Sequence, residues 1–370
     1  MVTAADLLGQ SREYIADRGI VSFALAVIDV AAPEPYGTRF RARRQTVLDV
    51  STAEPPLSLT DRFQALRHGF TTDCYCLYEL HEGGDPRGYL DDVTRRAAKY
   101  CNDRPELLDD KRKFLRYLRT EGYGAYLPTV YGRIEDGTFY SDDYATIRDL
   151  LADRDRVVIK GRTGAAGNHV YICTASGAES LGNHHLTENV PERARGFDDH
   201  LVTEYVEQAG YLERIYPDAT NTIRVLTLRT GEGTRIAAAA HRFGSARAGA
   251  LDNFSKGGLS AAVDRETGAL SAAAAPTGCG PVWHDHHPDT GAAIAGVSVP
   301  GWQEIRDQLR TIAAETAAFD HVGWDIVVTG PGTFRIIEGN SYPDPDVLQV
   351  HEPLLARPAV REFYEQRGLL

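Results

Sequence analysis

The stretch VGWDIVVTGPGTFRIIEGN, residues 322–340, holds two apolar runs, WDIVV and FRII, on either side of a Thr-Gly-Pro-Gly turn. Apolar runs flanking a glycine- and proline-rich turn read as a β-hairpin. A strand that buries one face carries polar residues on the other, yet Asp325 sits inside the first run while Glu338 and Asn340 close the second. Pairing Thr329 with Phe334 across the loop sets Asp325 opposite Glu338. Asn340, two residues on, points to the same face as Glu338. Two carboxylates and an amide that converge in this way repel unless a cation lies between them. All-oxygen ligands favour a hard ion, and magnesium held by one or two carboxylates plus substrate phosphates fits best. A polar, solvent-facing strand end is the other reading of the same three residues.

Composition bounds the remaining classes. With 370 residues, 42% of them hydrophobic, the chain can bury a large core and divide into two or three packed subdomains. A formal net charge of −12 argues against a general nucleic-acid binder, because no face is basic enough to neutralise phosphates. No apolar run approaches the roughly 20 residues of a membrane span, and the N-terminus lacks a signal-peptide pattern. The five cysteines (Cys74, Cys76, Cys101, Cys173 and Cys279) are too few and too scattered for a disulfide framework. These features predict a soluble, cytoplasmic globular protein. Of the 40 basic residues only five are lysines: Lys99, Lys111, Lys113, Lys160 and Lys256. In a chain that uses arginine almost everywhere, each lysine is a candidate for a task that a planar guanidinium performs badly.

Residues 1–105 mix helical patterns with one strong strand, VSFALAVIDV (21–30), and YLDDVTRRAAKYC (89–101) places Leu90, Val93, Ala97 and Cys101 on one helical stripe. A second amphipathic helix, DDKRKFLRYLRTEG (109–122), stops near Gly122. Strands then dominate: RVVIK (156–160), HVYICT (169–174), HLVTEYV (200–206), NTIRVLTLR (221–229) and TRIAAAAHRFG (234–244). Residues 259–274 read as a hairpin through Glu-Thr-Gly, and WQEIRDQLRTIAAETAAF (302–319) as a long helix leading into the opening hairpin. The class is α+β with antiparallel sheets, not alternating βαβ units.

VVIKGRTGAAGNHVYI (157–172) is a strand, a glycine-rich turn and a second strand. It is neither a Walker A loop nor a G-x-G-x-x-G entering a helix. Strand–glycine loop–strand suits a flap whose backbone N–H groups fold over phosphates, with Lys160 at its edge adding a point charge. An ordinary β-turn is the alternative. In LVTEYVEQ (201–208), the strand end at Glu204-Tyr205-Val206 can present alternating backbone groups to a purine edge.

Taken in order, these pieces resemble the ATP-grasp superfamily, from Asp109–Lys111 through the Lys160 strand and flap, Glu204 and Asp325 to Glu338-x-Asn340. The resemblance covers roughly residues 105–350. It implies two α+β subdomains gripping ATP, here 106–206 with the phosphate flap and 207–370 with the magnesium site, after an N-terminal mixed α/β region at 1–105. Carried over residue by residue, it makes Lys111 and Lys160 nucleotide-contacting lysines, and Gly164, Gly167 and Asn168 part of the flap. Glu204, Tyr205 and Val206 become the adenine hinge, Glu207 the ribose contact, and Asp325, Glu338 and Asn340 the ligands of two magnesium ions bridged by Glu338, with manganese as the alternative metal. NTIRVLTLR, DNFSKGGLSAAVDRETGAL, PGWQEI, HVGWDIVVT and IIEGNSYPDPDVLQ, with RHGFTTDCYCLYEL (67–80), are similar to the sugar-transfer-associated branch.

That resemblance implies an ATP-dependent ligase forming a carbon–nitrogen bond, with a small-molecule carboxylate or peptide and an amine as substrates. A sugar or metabolite kinase and a non-catalytic nucleotide-binding module are the alternatives. It implies no nucleic acid and no membrane span, a biosynthetic role, and a chain for which a homodimer is possible. In many ATP-grasp ligases an arginine two residues before the first metal aspartate holds the acyl phosphate; here that position is Gly323, so Arg224, Arg242 or Lys256 has to supply the charge. Asn253, beside Lys256 in DNFSKGG (252–258), is a further substrate-contacting candidate against the reading of a bland turn. WHDHHPDTG (283–291) offers three histidines and two aspartates, but contiguous and without helical or sheet spacing, so a loop is the better reading than a metal site. Cys173, on an apolar strand, reads as core.

Overall fold

A computed structural model describes residues 41–47, 57–164, 170–174, 177–180, 197–249, 251–278 and 280–370. The strand expected at 21–30 lies outside these residues, as do Gly167 and Asn168 of the flap. Two antiparallel sheets carry the fold. The first has the order β2-β1-β6-β3-β4-β5, from β1 (Val130–Glu135), β2 (Thr138–Tyr140), β3 (Arg156–Gly161), β4 (Val170–Thr174), β5 (Gly177–Ser180) and β6 (His200–Glu204). The second has the order β11-β10-β9-β8-β7-β12-β13. Its strands are β7 (Ile223–Thr230), β8 (Gly233–Phe243), β9 (Leu259–Val263), β10 (Leu270–Pro276), β11 (Pro281–His284), β12 (His321–Gly330) and β13 (Thr333–Asn340). Every pairing among them is antiparallel, as α+β requires.

The alternation of side chains along the strands divides the second sheet into two faces. Ile223, Val225, Trp324, Ile326, Val328, Phe334 and Ile336 share a core with two helices, Lys111–Thr120 and Trp302–Glu315. Leu226, Leu228, Ala238 and Ala240 lie on the opposite face, under residues 65–101 and the C-terminal helices from Val347 to Leu369. The chain regions expected at 1–105 and 207–370 therefore share one apolar core. Leu90, Val93, Ala97 and Cys101 are all buried, Leu90 just before a helix (Asp92–Ala97) and the others on it and on the 3-10 turn that continues it (Ala98–Cys101). Cys173 is buried in the separate core of the first sheet, among Val157, Ile159 and Val202.

Several expected boundaries move: the helix expected over 109–122 is Lys111–Thr120, and the strand expected over 221–229 is Ile223–Thr230. The helix expected to reach residue 319 ends at Glu315, because Arg229 donates to the carbonyls of Ala313, Ala314 and Thr316 at 2.9–3.0 Å and caps its C-terminus. The strand expected over 200–206 ends at Glu204. Among the described residues no helix is long and apolar enough to cross a membrane.

Candidate active site

The opening hairpin forms, and Asp325 does pair with Glu338, but not through the expected register. Phe334 pairs with Val328 rather than with Thr329, and Thr333 pairs with Gly330. One irregularity lies between Val328 and Gly330 and a second between Asp325 and Ile326, so the slip introduced near the turn is reversed before the site. The second places Ile337 as an extra residue on β13, since Ile326 pairs with Ile336 and Asp325 with Glu338. A bulge of this kind re-aims backbone groups. The Ile337 carbonyl accepts from Lys160 Nζ at 3.4 Å.

Two lysines meet at this bulge. Lys111 is the first residue of its helix, and Asp110 caps that helix by accepting from Arg112 and Lys113 N–H at 3.0 and 3.1 Å. The Lys111 N–H donates to Arg162 O, and its Nζ donates to Gly164 O at 2.9 Å and lies 3.5 Å from Glu338. Gly339, between Glu338 and Asn340, lets the helix approach: a Cβ there would lie 2.8 Å from Phe114 and 2.7 Å from Leu108. Lys160, at the end of β3, is buried. Burial first, and then the Lys111 charge, lower its pKa to about 8, against partial support from Glu338. Two ammonium groups thus face one nearby carboxylate.

That shift has a stability consequence with a definite sign. A lysine whose folded pKa lies below its unfolded value of 10.5 costs stability while protonated, and the cost is relieved as pH rises from about 8 to 10.5. At neutral pH it amounts to about 3 kcal/mol. Lys160→Met is expected to melt above the parent protein at pH 7, with the difference shrinking toward pH 10. A lower melting temperature for the variant at pH 7 would make Lys160 a structural residue.

Behind the lysines lies a buried ionic cluster on the face of the second sheet that carries Leu226 and Ala240. Arg224 on β7 pairs across the ladder with Asp325 on β12, and its guanidinium grips both carboxylate oxygens, Nε–Oδ1 2.5 Å and Nη2–Oδ2 3.0 Å. Arg242, at the end of β8, approaches the same Oδ2 at 3.3 Å and reaches Asp252 at 3.4 Å. Asp252 is itself fixed by the Thr222 N–H at 2.8 Å. Burial alone would push the Asp325 carboxyl up, but Arg224 and Arg242 outweigh it and hold the group well below the usual carboxylate range. Asn340 Nδ2 donates to Gly323 O at 3.1 Å and to Asp325 Oδ2 at 3.4 Å.

Gly323 is explained by what packs against it. A side chain there would run into Pro343, with Cγ at 2.8 Å, and would lie 3.3 Å from Arg224 Cδ. The space is taken by the Pro343 ring, with the Arg224 side-chain stem beside it. Lys256 and Asn253 stand on the 3-10 turn that follows Asp252, where Asn253 Oδ1 accepts from the Ser255 N–H at 3.1 Å.

The segment 204–209 crosses from the first sheet to the second. Glu204 is clamped to Thr129, its N–H donating to Thr129 O and its carboxylate accepting from Thr129 N at 2.9 Å. Arg156 holds Glu207 through both carboxylate oxygens and covers the Tyr205 ring, 3.9 Å from its centroid. Val206 is buried. Several anchors escaped the sequence reading: Asp110 as helix cap, Asp252 and Thr222 behind Arg242, and a Lys99–Asp109–Ser341 chain at 2.6 and 2.7 Å. Lys99 is one of the five lysines, and an Asp directly before a helix is a capping signal, so two of these were legible.

In the histidine-rich stretch, His287 is buried, stacked on Tyr216, with Nε2 2.9 Å from Gly244 O. Asp289 accepts from Ala246 N–H. These side chains tie the loop to Tyr216 and to the segment that follows β8.

A family profile described as sugar-transfer associated ATP-grasp matches residues 94–361. The chain belongs to this family. No curated protein matches it in sequence. Among solved structures, this ATP-grasp protein is similar to the ATP-grasp ligase PsnB complexed with a minimal precursor, at 14% identity and a TM-score of 0.37 over 70% of this chain and 62% of that one. It is also similar to the D-alanine-D-alanine ligase from Coxiella burnetii, at 14% identity and a TM-score of 0.33 over 72% and 61%. The ADP complex of N5-carboxyaminoimidazole ribonucleotide synthetase gives 11% identity and a TM-score of 0.38 over 82% and 65%. This chain therefore spans under two thirds of each of these chains' length. Likeness at this level bears on neither substrate nor reaction.

Proposed function

We propose that this ATP-grasp protein is an ATP- and magnesium-dependent ligase that joins a carboxylate to an amine through an acyl phosphate. The observation that carries the reading is the excess of positive charge where Lys111 and the buried Lys160 meet beside Glu338. A triphosphate supplies the anion that this arrangement lacks. In this reading Lys111, Lys160 and the flap containing Gly164, Gly167 and Asn168 hold the phosphates. The adenine lies along Glu204–Val206, and Glu207 faces the ribose.

The residues present fit a hard cation in part. Glu338 has an exposed edge, and Asn340 spends its N–H on Gly323 and Asp325, which leaves its amide oxygen as a donor. Asp325 has both oxygens engaged by Arg224 and Arg242, so it fits a metal less well than Glu338 does. Magnesium, when bound, would neutralise phosphate charge during phosphoryl transfer, with manganese as its substitute.

The substrate carboxylate attacks the γ-phosphorus, the bridging bond to the β-phosphate breaks, and ADP leaves. The amine then attacks the acyl carbon, inorganic phosphate leaves, and the nitrogen loses its proton as the amide forms. In this reading Arg224, Arg242 or Lys256 supplies the charge that faces the transferred phosphoryl, and Asn253 contacts the substrate. Positioning and charge neutralisation do most of the work. A cytoplasmic setting supplies the ATP that this reading needs.

Saturating Mg-ATP is expected to raise the melting temperature, since a ligand held only by the native state stabilises it by about 2.7 kcal/mol at a hundredfold excess over Kd. Coincident melting curves would remove the nucleotide site. Phosphate release screened over carboxylates, amines and sugars then tests the reaction. Release that requires both acid and amine, with an amide product, supports the ligase. A phosphorylated sugar formed without any amine would replace it by the hydroxyl phosphotransferase, the alternative that the family description keeps open.

A further inference from the structure

A cavity of about 300 Å³ lies at the ends of β7 and β8 remote from Arg224, and none of the candidate active-site residues lines it. Its charged lining is Arg235, Arg265, Arg306, Arg310 and Arg357 against a single carboxylate, Glu266. Its apolar lining is Leu228, Ile236, Ala237 and Val360, all buried. Such a concentration of guanidinium runs against the chain's net charge of −12.

The partners of these arginines stand mostly outside the cavity. Glu232 pairs with Arg235, Asp307 with Arg306 and Arg310, and Glu352 with Arg357, and none of the three acids lines the space. Among the described residues Arg265 makes no ion pair. Burial, and then the Arg357 charge beside it, lower its pKa from the ordinary value. Arg265 and Arg357 both line the cavity, and Arg357 is fixed there by Glu352 on its Nε and Nη2 and by the Ala237 carbonyl on its Nη1.

Arg265 is held there by a rigid turn. Asp264 Oδ1 accepts from the N–H groups of Glu266 and Thr267 at 3.1 and 2.7 Å. The Arg265 carbonyl accepts from Trp302 Nε1 at 3.0 Å and from Arg306 Nη1 at 3.2 Å. The guanidinium therefore projects from a backbone fixed against the helix Trp302–Glu315.

We propose that this cavity is a second ligand site that binds a small organic phosphate, with the phosphate between Arg265 and Arg357 and the apolar body on Leu228 and Ile236. The planar guanidinium fork matches phosphate oxygens in pairs. A phosphate monoester carries nearly two negative charges at neutral pH, which suits paired arginines better than one carboxylate does. The volume lies at the lower end of the range for small-molecule sites. Because the site shares no residue with the nucleotide cleft, its test is independent of the ligase reading.

The test is calorimetric titration of the full chain at fixed ionic strength with phenyl phosphate, alongside inorganic phosphate and benzoate. Phenyl phosphate is expected to bind more tightly than either of the others. Arg265→Ala, which removes a side chain without an ion pair, is expected to weaken it about tenfold or more, the scale of a lost charge-assisted hydrogen bond. Lys160→Met is expected to leave this binding unchanged. Absence of phenyl phosphate binding, or equal affinity in Arg265→Ala and the parent, overturns the site. Loss of binding in Lys160→Met moves the ligand to the nucleotide cleft and overturns it as well. Tighter binding of benzoate overturns the phosphate assignment, and equal binding of inorganic phosphate overturns the role of the apolar floor.

Discussion

Asp325→Ala is expected to destabilise the protein by about 3–5 kcal/mol, the usual cost of stripping one partner from a buried ion pair. Asp325 is 3% exposed, and both its oxygens are held by Arg224 with Arg242 close by. Removing the carboxylate leaves Arg224, itself buried, without its hydrogen-bonded partner, and only the charges of Glu338 and Asp344 then act on it through space. Asp325→Asn keeps the volume and one acceptor but not the charge, so it should be damaging too, though less so. A magnesium ligand with no other duty behaves differently: its loss weakens ion binding and leaves the apo protein's stability nearly intact. Denaturant unfolding without nucleotide separates the two. Adding Arg224→Met to Asp325→Ala should recover part of the loss, because it removes the stranded charge. The pH dependence carries the same sign. A carboxyl held below its ordinary value of 3.8 contributes stability that is fully present above that value and is lost as pH falls below it. Unfolding energies of Asp325→Ala within about 1 kcal/mol of the parent would mean that the cluster is not a structural ion pair.

The hairpin shows how far the sequence could be read. Asp325 opposite Glu338 followed from period-two alternation and a turn, and the pairing is there. The assumed route to it is not: Phe334 pairs with Val328, and the Ile337 bulge restores the register. A bulge leaves no compositional mark in FRIIEGN, so the carbonyl it offers to Lys160 could not be foreseen. Lys111 and Lys160 were legible because lysine is rare in this chain. Arg224 was one of several basic candidates until the register set it opposite Asp325. Long-range anchors such as Asp252 under Thr222 and Arg242 depend on strands that meet only after folding. Local pattern carries no information about them.

The carboxylate that remains accessible is Glu338, and its replacement should separate binding from catalysis. Its Oε2 lies 3.5 Å from Lys111 Nζ, and its charge is what partly supports the protonated form of Lys160. Glu338→Gln keeps the shape and removes that anion. Two ammonium groups are then left facing each other, so a metal-free polyanion such as ADP should bind at least as tightly as it does to the parent, because it now supplies all the compensating charge. Turnover should move the opposite way. If Glu338 holds magnesium against the transferring phosphate, as we propose, the variant loses that clamp, and turnover should fall about a hundredfold or more, the scale seen when one preorganised electrostatic contact is removed from a transition state. Raising magnesium should recover only part of the loss, because the ligand and not the ion is missing. The measurement is ADP affinity without metal, beside turnover at several magnesium concentrations, for Glu338→Gln and the parent. Turnover near the parent's would reduce Glu338 to a counter-ion of Lys111. Weakened metal-free ADP binding would show that Glu338 orders the lysines rather than opposing their charge, and the separation of binding from catalysis would be lost.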